Sequence, residues 1–197
     1  MARRRKPPAP LMTIKLPRTI RLDPSDTFVF DRAAEPGEWA VTGSFLFWEA
    51  DIPSLAGKAR AAFRSGFLGV SSLGFATLVV VSDVSERERD DAIEALAQHI
   101  REKLGAPDLD AARAAAAEEI AFAATLCRHD VNTIIALHRT LEEGNIKEQF
   151  RTLRAREAGQ AGADSLHAFA RAFQFVESDE EPEERVDFAE LVRGGRS

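Results

Sequence analysis

Apolar segments alternate with turn-forming sequences through residues 19–48 and predict β-strands there. The first turn is Asp-Pro-Ser-Asp at 23–26, and the strand-like Thr-Phe-Val-Phe follows at 27–30. A second turn, Glu-Pro-Gly-Glu at 35–38, leads into the apolar segment WAVTGSFLFW at 39–48, whose internal glycine indicates a turn or bulge. We therefore predict an antiparallel meander for this region.

The middle of the chain shows the hydrophobic period of two long helices. Ser85 and Glu88 fit a capping box that opens the first helix. Asp108 fits the N-cap of a second helix that ends near Cys127. The predicted core stripe of the first helix consists of Ile93, Leu96, Ala97, Ile100 and Leu104.

Shorter elements complete the predicted fold. Residues 54–66 fit a short helix, and residues 77–81 fit a buried strand. Residues 133–141 are strand-like, and after a turn at 142–145 the residues 146–153 either pair back as a strand or begin a helix; we favour the hairpin. The fold class is therefore α+β. An antiparallel sheet, made of the N-terminal meander, the central strand and the C-terminal hairpin, packs against two consecutive helices.

One α+β domain is expected at residues 13–155, preceded by a basic tail. Residues 1–12 are expected to be disordered, because four consecutive basic residues precede three prolines and little there is available for burial. Both Met1 and Met12 fit as the start of translation, since the patterned sequence begins directly after the second methionine.

The C-terminal part of the chain changes in composition after the predicted hairpin. Residues 156–165 are expected to form a flexible spacer. Residues 166–197 are expected to form an appendage that contains an acidic linker. Its first part, 166–176, fits either a helix or a strand.

Composition limits the classes of function. The chain has 197 residues, of which 45% are hydrophobic, so it can bury one substantial core. A net charge of −6 disfavours nucleic-acid binding, and a single cysteine excludes an internal disulfide. No stretch approaches the roughly 18 apolar residues of a membrane span. We therefore expect a cytoplasmic protein without membrane association.

The glycine-rich sequences do not match nucleotide-binding motifs. Gly66, Gly69 and Gly74 precede a strand, whereas phosphate-binding loops follow a strand and open a helix. Gly57 and Lys58 lack the upstream glycine and the following hydroxyl residue of a Walker motif. Turn glycines account for these positions better, and no cofactor is predicted.

A cysteine and a histidine lie close together after the second long helix. Cys127 and His129 have a spacing that metal ligands use, but a site would require His138 or another side chain to converge on them, so no metal is predicted. A cysteine nucleophile would need His129 as its base, yet a helix C-terminus does not activate a thiol. A buried structural thiol and a histidine favoured by the helix dipole are the preferred interpretation.

Glu119 and Arg139 are further candidates. A rotation of 100° per residue places Glu119 at the edge of the apolar face of its helix, near Phe122 and Leu126. Its carboxylate is either satisfied by an arginine or a loop amide, or is a tuned acid or base. Arg139 opens the 139–157 region, whose interleaved charges are typical of a solvated hairpin or helix; a basic face for an anion or an acidic partner is the alternative.

Three segments carry a family resemblance: LPRTIRLDPSDTFVFDRAAEPGEWAV, GKARAAFRSGFLGVSSLGFATLVVV and EEIAFAATLCRHD. Together they resemble an uncharacterised proteobacterial family of about this length, over residues 16 to about 154. That family has no assigned activity, so the resemblance transfers no functional residue. Its relatives accompany redox-enzyme and cofactor-ligase genes, and the resemblance therefore implies an accessory role.

Two functional hypotheses follow. The first is a non-catalytic accessory or protein-interaction factor with a protein partner, in a redox-enzyme or cofactor-attachment system; a homodimer through sheet edges is also open. The alternative is a small-molecule-binding domain or an enzyme that uses Glu119 with a residue of the 129–156 region. A pocket lined by Glu119 and His129 or His138 would favour this alternative. No catalytic residue is assigned, and the candidate polar site consists of Glu119, Cys127, His129, His138 and Arg139.

Overall fold

The computed structural model describes residues 14–153, which form a mixed α+β fold. In chain order the elements are β1 (Ile14–Ile20), α1 (Ser25–Val29), β2 (Ala40–Val41), α2 (Gly57–Ser65), β3 (Phe67–Gly69), β4 (Phe75–Ala76), β5 (Leu78–Val84), α3 (Glu86–Lys103), α4 (Leu109–Thr125), β6 (Ile134–Glu142) and β7 (Asn145–Leu153). Two 3₁₀ segments, Ser44–Phe47 and Ile52–Ser54, lie between β2 and α2.

Some expectations lie outside the described residues. These are the predictions for residues 1–12, 156–165 and 166–197, together with the choice between Met1 and Met12. Within residues 14–153, no helix is both long enough and apolar enough to cross a bilayer.

The strands form two antiparallel sheets. The larger sheet has the strand order β1-β5-β6-β7, and β1 pairs with β5 along its whole length, from Ile14 opposite Val84 to Ile20 opposite Leu78. The smaller sheet has the order β2-β3-β4. β6 and β7 form the predicted hairpin, in which Glu142 lies opposite Asn145. The α+β class with antiparallel sheets is therefore confirmed.

The predicted N-terminal meander is wrong, because its second strand is a helix. Residues 25–29 form α1, and β1 pairs with β5 rather than with a neighbour in sequence. The cause is a long-range contact: the carboxylate of Asp26 is buried and accepts a 2.5 Å hydrogen bond from the hydroxyl of Thr77. This contact holds the 25–29 turn against the start of β5, in place of an extended strand.

The apolar segment 39–48 also departs from the predicted strand. The strand here consists of Ala40 and Val41 alone, and Gly43 then takes a left-handed conformation with φ of 75°. Any Cβ at this glycine would lie 2.6 Å from the Cβ of Leu68, so a larger residue fits neither the backbone angle nor the space. The chain turns here into a 3₁₀ segment that ends before Trp48.

The two long helices begin at the predicted caps and pack against each other. Ser85 and Glu88 form a complete capping box at α3, and Asp108 accepts a hydrogen bond from the amide of Ala111 at the start of α4. Arg113 of α4 donates hydrogen bonds of 2.8 and 3.1 Å to the carboxylate of Glu94 on α3. Its hydrogen bond holds the pKa of the Glu94 carboxyl below its usual value.

The core stripe of α3 differs from the prediction at its last position. Leu96, Ala97 and Ile100 are buried, and Ile93 packs against the same cluster, as predicted. Leu104, however, is 45% exposed. α3 ends at Lys103, and Gly105 adopts the left-handed conformation, so the chain leaves the helix axis where the stripe would continue.

Arg139 joins three parts of the molecule from a fully buried position: the hairpin, α2 and the small sheet. On the hairpin, its Nε donates a 2.7 Å hydrogen bond to the carboxylate of Glu148, the residue opposite it on β7. Its Nη1 donates to the carbonyls of Phe63 and Gly66 at the C-terminal end of α2, at 2.9 and 3.0 Å. Its Nη2 donates to the carbonyl of Thr42 after β2. One guanidinium therefore ties the hairpin to α2 and to the small sheet.

We predict that Arg139→Ala lowers the free energy of unfolding by about 3–5 kcal/mol, because it leaves the carboxylate of Glu148 and several carbonyls buried without this donor. Urea denaturation followed by circular dichroism measures the change. Lys147→Ala is the control, since Lys147 forms an exposed pair with Glu142 on the same hairpin and should cost less than about 1 kcal/mol. Equal losses for the two variants would contradict the role given to Arg139.

Candidate functional site

A cavity of about 410 Å³ lies between the 3₁₀ segment after β2 and the α3–α4 pair. We call it the groove. Its size falls within the range of ligand pockets, which is about 300–1,000 Å³. The residues that line it are Phe45, Leu46, Trp48, Glu49, Ile100, Lys103, Leu104, Ala106, Ala115, Glu118 and Glu119.

The apolar wall of the groove includes large side chains that the fold leaves in contact with solvent. Trp48 is 54% exposed and Leu104 is 45% exposed, although both are large and apolar. Both positions follow from local chain geometry. The turn at Gly43 starts the 3₁₀ segment that precedes Trp48, and the end of α3 leaves Leu104 beyond the buried stripe.

Glu119 reaches the groove from a more buried position than its helical phase predicts. It is 6% exposed and belongs to the buried stripe of α4, together with Ala116, Ile120 and Ala123. Glu118 is exposed, as predicted from its position on the opposite face. The inner wall of the groove therefore includes a carboxylate among apolar side chains.

The rim of the groove carries more negative than positive charge. Glu49 and Glu118 are exposed, and Lys103 is the cation among the lining residues. The last turn of α3 contains two basic residues, Arg101 and Lys103, of which Lys103 lines the groove. The groove is thus an apolar cleft in an acidic setting.

Cys127 lies in the hydrophobic core and away from the groove. It packs with Val79, Val81, Ile135 and Leu137 and is 2% exposed. Burial raises the pKa of its thiol from 9.0 to about 12, and the positive charge of Lys15 opposes this only in part. A thiol in these surroundings is protonated at neutral pH and packs as a small apolar side chain.

The three remaining candidates lie in separate surroundings. The backbone carbonyl of His129 accepts a 2.8 Å hydrogen bond from Lys15, which fixes the loop after α4. His138 and Arg139 are consecutive on β6, so their side chains point to opposite faces of the sheet. Leu137 shares the face of Arg139 and packs with Cys127, which places His138 on the face opposite that thiol.

Of the five candidates, Glu119 alone lines the groove. The residues 14–153 contain no group of three or more histidine, cysteine, aspartate or glutamate side chains arranged to hold a metal ion. The structure therefore does not bring the candidate residues together in one cluster. What it does bring together, around Glu119, is a set of apolar residues that the sequence did not single out.

Trp48 and Leu104 were missed because each fits a buried pattern. Trp48 ends an apolar run that resembles a core strand, and Leu104 continues the stripe of α3. The available signal was Gly105, which ends the helix directly after the leucine. An apolar residue at a helix end, beyond the last turn that can pack, is a candidate for an exposed contact.

We predict that Cys127 of the folded protein is almost unreactive toward thiol reagents at pH 8. With a pKa of about 12, about one thiol in ten thousand is ionised at that pH, against about one in ten at the ordinary value of 9.0. Absorbance after addition of Ellman's reagent gives the rate, and the chain in concentrated guanidinium chloride is the control, which should react fully. Rapid reaction of one thiol in the folded chain would contradict burial of this residue.

Comparison with curated proteins and with solved structures gave no match. Residues 12–171 match the family of unknown function DUF6505. This match covers most of the chain and includes all of the described residues. The match also covers the three segments whose resemblance was noted above, because it begins before the first of them and ends after the last. The chain therefore belongs to the family of unknown function DUF6505.

Proposed function

We propose that this protein is a non-catalytic accessory factor that binds a partner protein in the groove. The observation that carries the proposal is the exposure of Trp48 and Leu104 on the wall of one cavity. Tryptophan is the residue type most enriched among those that dominate binding energy at interfaces. When a partner covers large apolar side chains that line a cleft and remain in water, the free energy of the complex falls.

The arrangement of the polar candidates supports binding more than catalysis. Nucleophilic and acid–base mechanisms need their groups within hydrogen-bond reach of one another. Cys127 lies in the core, Arg139 is held by Glu148 and by backbone carbonyls, and Glu119 lines the groove without either histidine. These placements favour a role that depends on shape and surface chemistry.

The kind of system served by the protein is part of the proposal. The resemblance noted from the sequence implies an accessory role beside a redox enzyme or a cofactor-attachment enzyme. A groove of about 410 Å³ accommodates a few side chains of a partner segment rather than a whole domain face. We therefore propose a partner that inserts a short segment, such as an exposed helix or loop, between α3–α4 and the 44–48 segment.

A comparison of two exposed aromatic residues tests this proposal. We predict that Trp48→Ala weakens partner binding by about 2 kcal/mol or more, or about thirtyfold, because it removes a central apolar contact. The partner is first captured from native extract on the immobilised wild-type chain, and the purified pair is then measured by calorimetry.

Phe28→Ala is the matched control. Phe28 is 73% exposed on α1 and does not line the groove, so its removal should change the affinity by less than twofold. Both substitutions affect exposed side chains and should leave the melting temperature nearly unchanged. If Trp48→Ala binds the partner as tightly as the wild type does, the groove is not the interaction surface.

A small-molecule-binding role is a second candidate, because Glu119 provides a buried carboxylate in a cavity of ligand size. We predict for this case that a small ligand raises the melting temperature of the wild-type chain and not that of Glu119→Gln, which keeps the shape of the side chain but removes the carboxylate. Thermal-shift screening of a metabolite panel measures the effect. Ligands that stabilise both chains equally, or no stabilising ligand, would reject this candidate.

A further inference from the structure

We propose that the segment bound in the groove carries a lysine or an arginine next to large apolar side chains. This inference rests on the proposed function and specifies the chemistry of the partner. It follows from two properties of the groove that occur together: an apolar wall and a rim with excess negative charge. Neither property alone would select one class of partner.

The charges around the groove favour a cation. Glu49 and Glu118 are exposed on the rim, and Glu119 is part of the wall, whereas Lys103 is the cation among the lining residues. A basic side chain entering here meets two carboxylates that are exposed on different elements, one after the 3₁₀ segment and one on α4.

The apolar wall favours side chains that can cover Trp48 and Leu104. Burial of both against a partner removes apolar surface from water, which is the main source of affinity in such a contact. The ring of Trp48 can in addition stack against a lysine or arginine side chain, because tryptophan offers the strongest cation–π surface. An arginine is suited to both demands, since its guanidinium stacks on aromatic rings and pairs with carboxylates.

Acidic partners are disfavoured by the same geometry. A phosphorylated or glutamate-rich segment would bring negative charge against Glu49 and Glu118, and like charges in a partly dehydrated cleft oppose binding. Charge at the rim therefore selects among segments that fit the apolar wall equally well.

Two synthetic peptides test the inference. Both contain leucine and phenylalanine at the same positions of a short amphipathic helix; one carries lysine at every polar position, and the other carries glutamate. We predict that the lysine peptide binds the full-length chain at least about tenfold more tightly, measured by fluorescence anisotropy of a labelled peptide. Trp48→Ala should weaken this binding, because the apolar contact is shared.

Charge reversal at the rim supplies the decisive variant. Glu49→Lys combined with Glu118→Lys should reverse or abolish the preference for the lysine peptide, and the milder pair Glu49→Gln with Glu118→Gln should reduce it. Glu143→Lys is the control, because Glu143 is exposed in the β6–β7 turn and does not line the groove. Circular dichroism confirms that each variant is folded.

Specific outcomes would overturn the inference. These are equal affinity for the two peptides, a lysine preference that survives charge reversal, or loss of the preference in Glu143→Lys as well. Failure of both peptides to bind, while a captured partner still depends on Trp48, would leave the proposed function standing and reject the cationic chemistry. A partner that no longer depends on Trp48 would instead reject the proposed function itself.

Discussion

The buried guanidinium of Arg139 is the constraint on which the arrangement of the elements depends. A charge without solvent exposure is tolerated only when its hydrogen bonds are met, and here they are met by groups from distant parts of the chain. Glu148 supplies the counter-charge from the neighbouring strand, and α2 supplies its C-terminal carbonyls. The negative end of that helix suits a cation, so the position of α2 against the hairpin is fixed by electrostatics as well as by packing.

The same residue also determines where the groove wall begins. Arg139 donates a hydrogen bond to the carbonyl of Thr42 directly before the chain turns at Gly43, and its guanidinium lies 5.7 Å from the ring centre of Phe47. Arg139 therefore contacts the chain at both ends of the 3₁₀ segment, at Thr42 before it and at Phe47 within its last position. Trp48 follows this segment at once, so its exposed position against the α3–α4 pair is an indirect consequence of a buried ion pair.

Local signals in the sequence predicted the elements that depend on local contacts. The capping box at Ser85, the N-cap at Asp108 and the β6–β7 hairpin are confirmed because each is decided by residues close in sequence. The prediction of an N-terminal meander was wrong because the hydrogen-bond partner of Asp26 is Thr77, which lies far along the chain. Arg139 resembled one of many alternating charges, and its burial depends on α2, which no pattern near residue 139 reveals.

Hydrogen exchange measured by mass spectrometry on Arg139→Lys tests the central claim most directly. Lysine keeps the charge opposite Glu148 but lacks the planar fork that reaches α2 and Thr42 together. We expect faster exchange at the end of α2 and in the 42–48 segment, with α3 unchanged, because these regions lose a shared anchor. Faster exchange spread evenly over the domain, or unchanged exchange at 42–48, would contradict the claim that this arginine positions the groove.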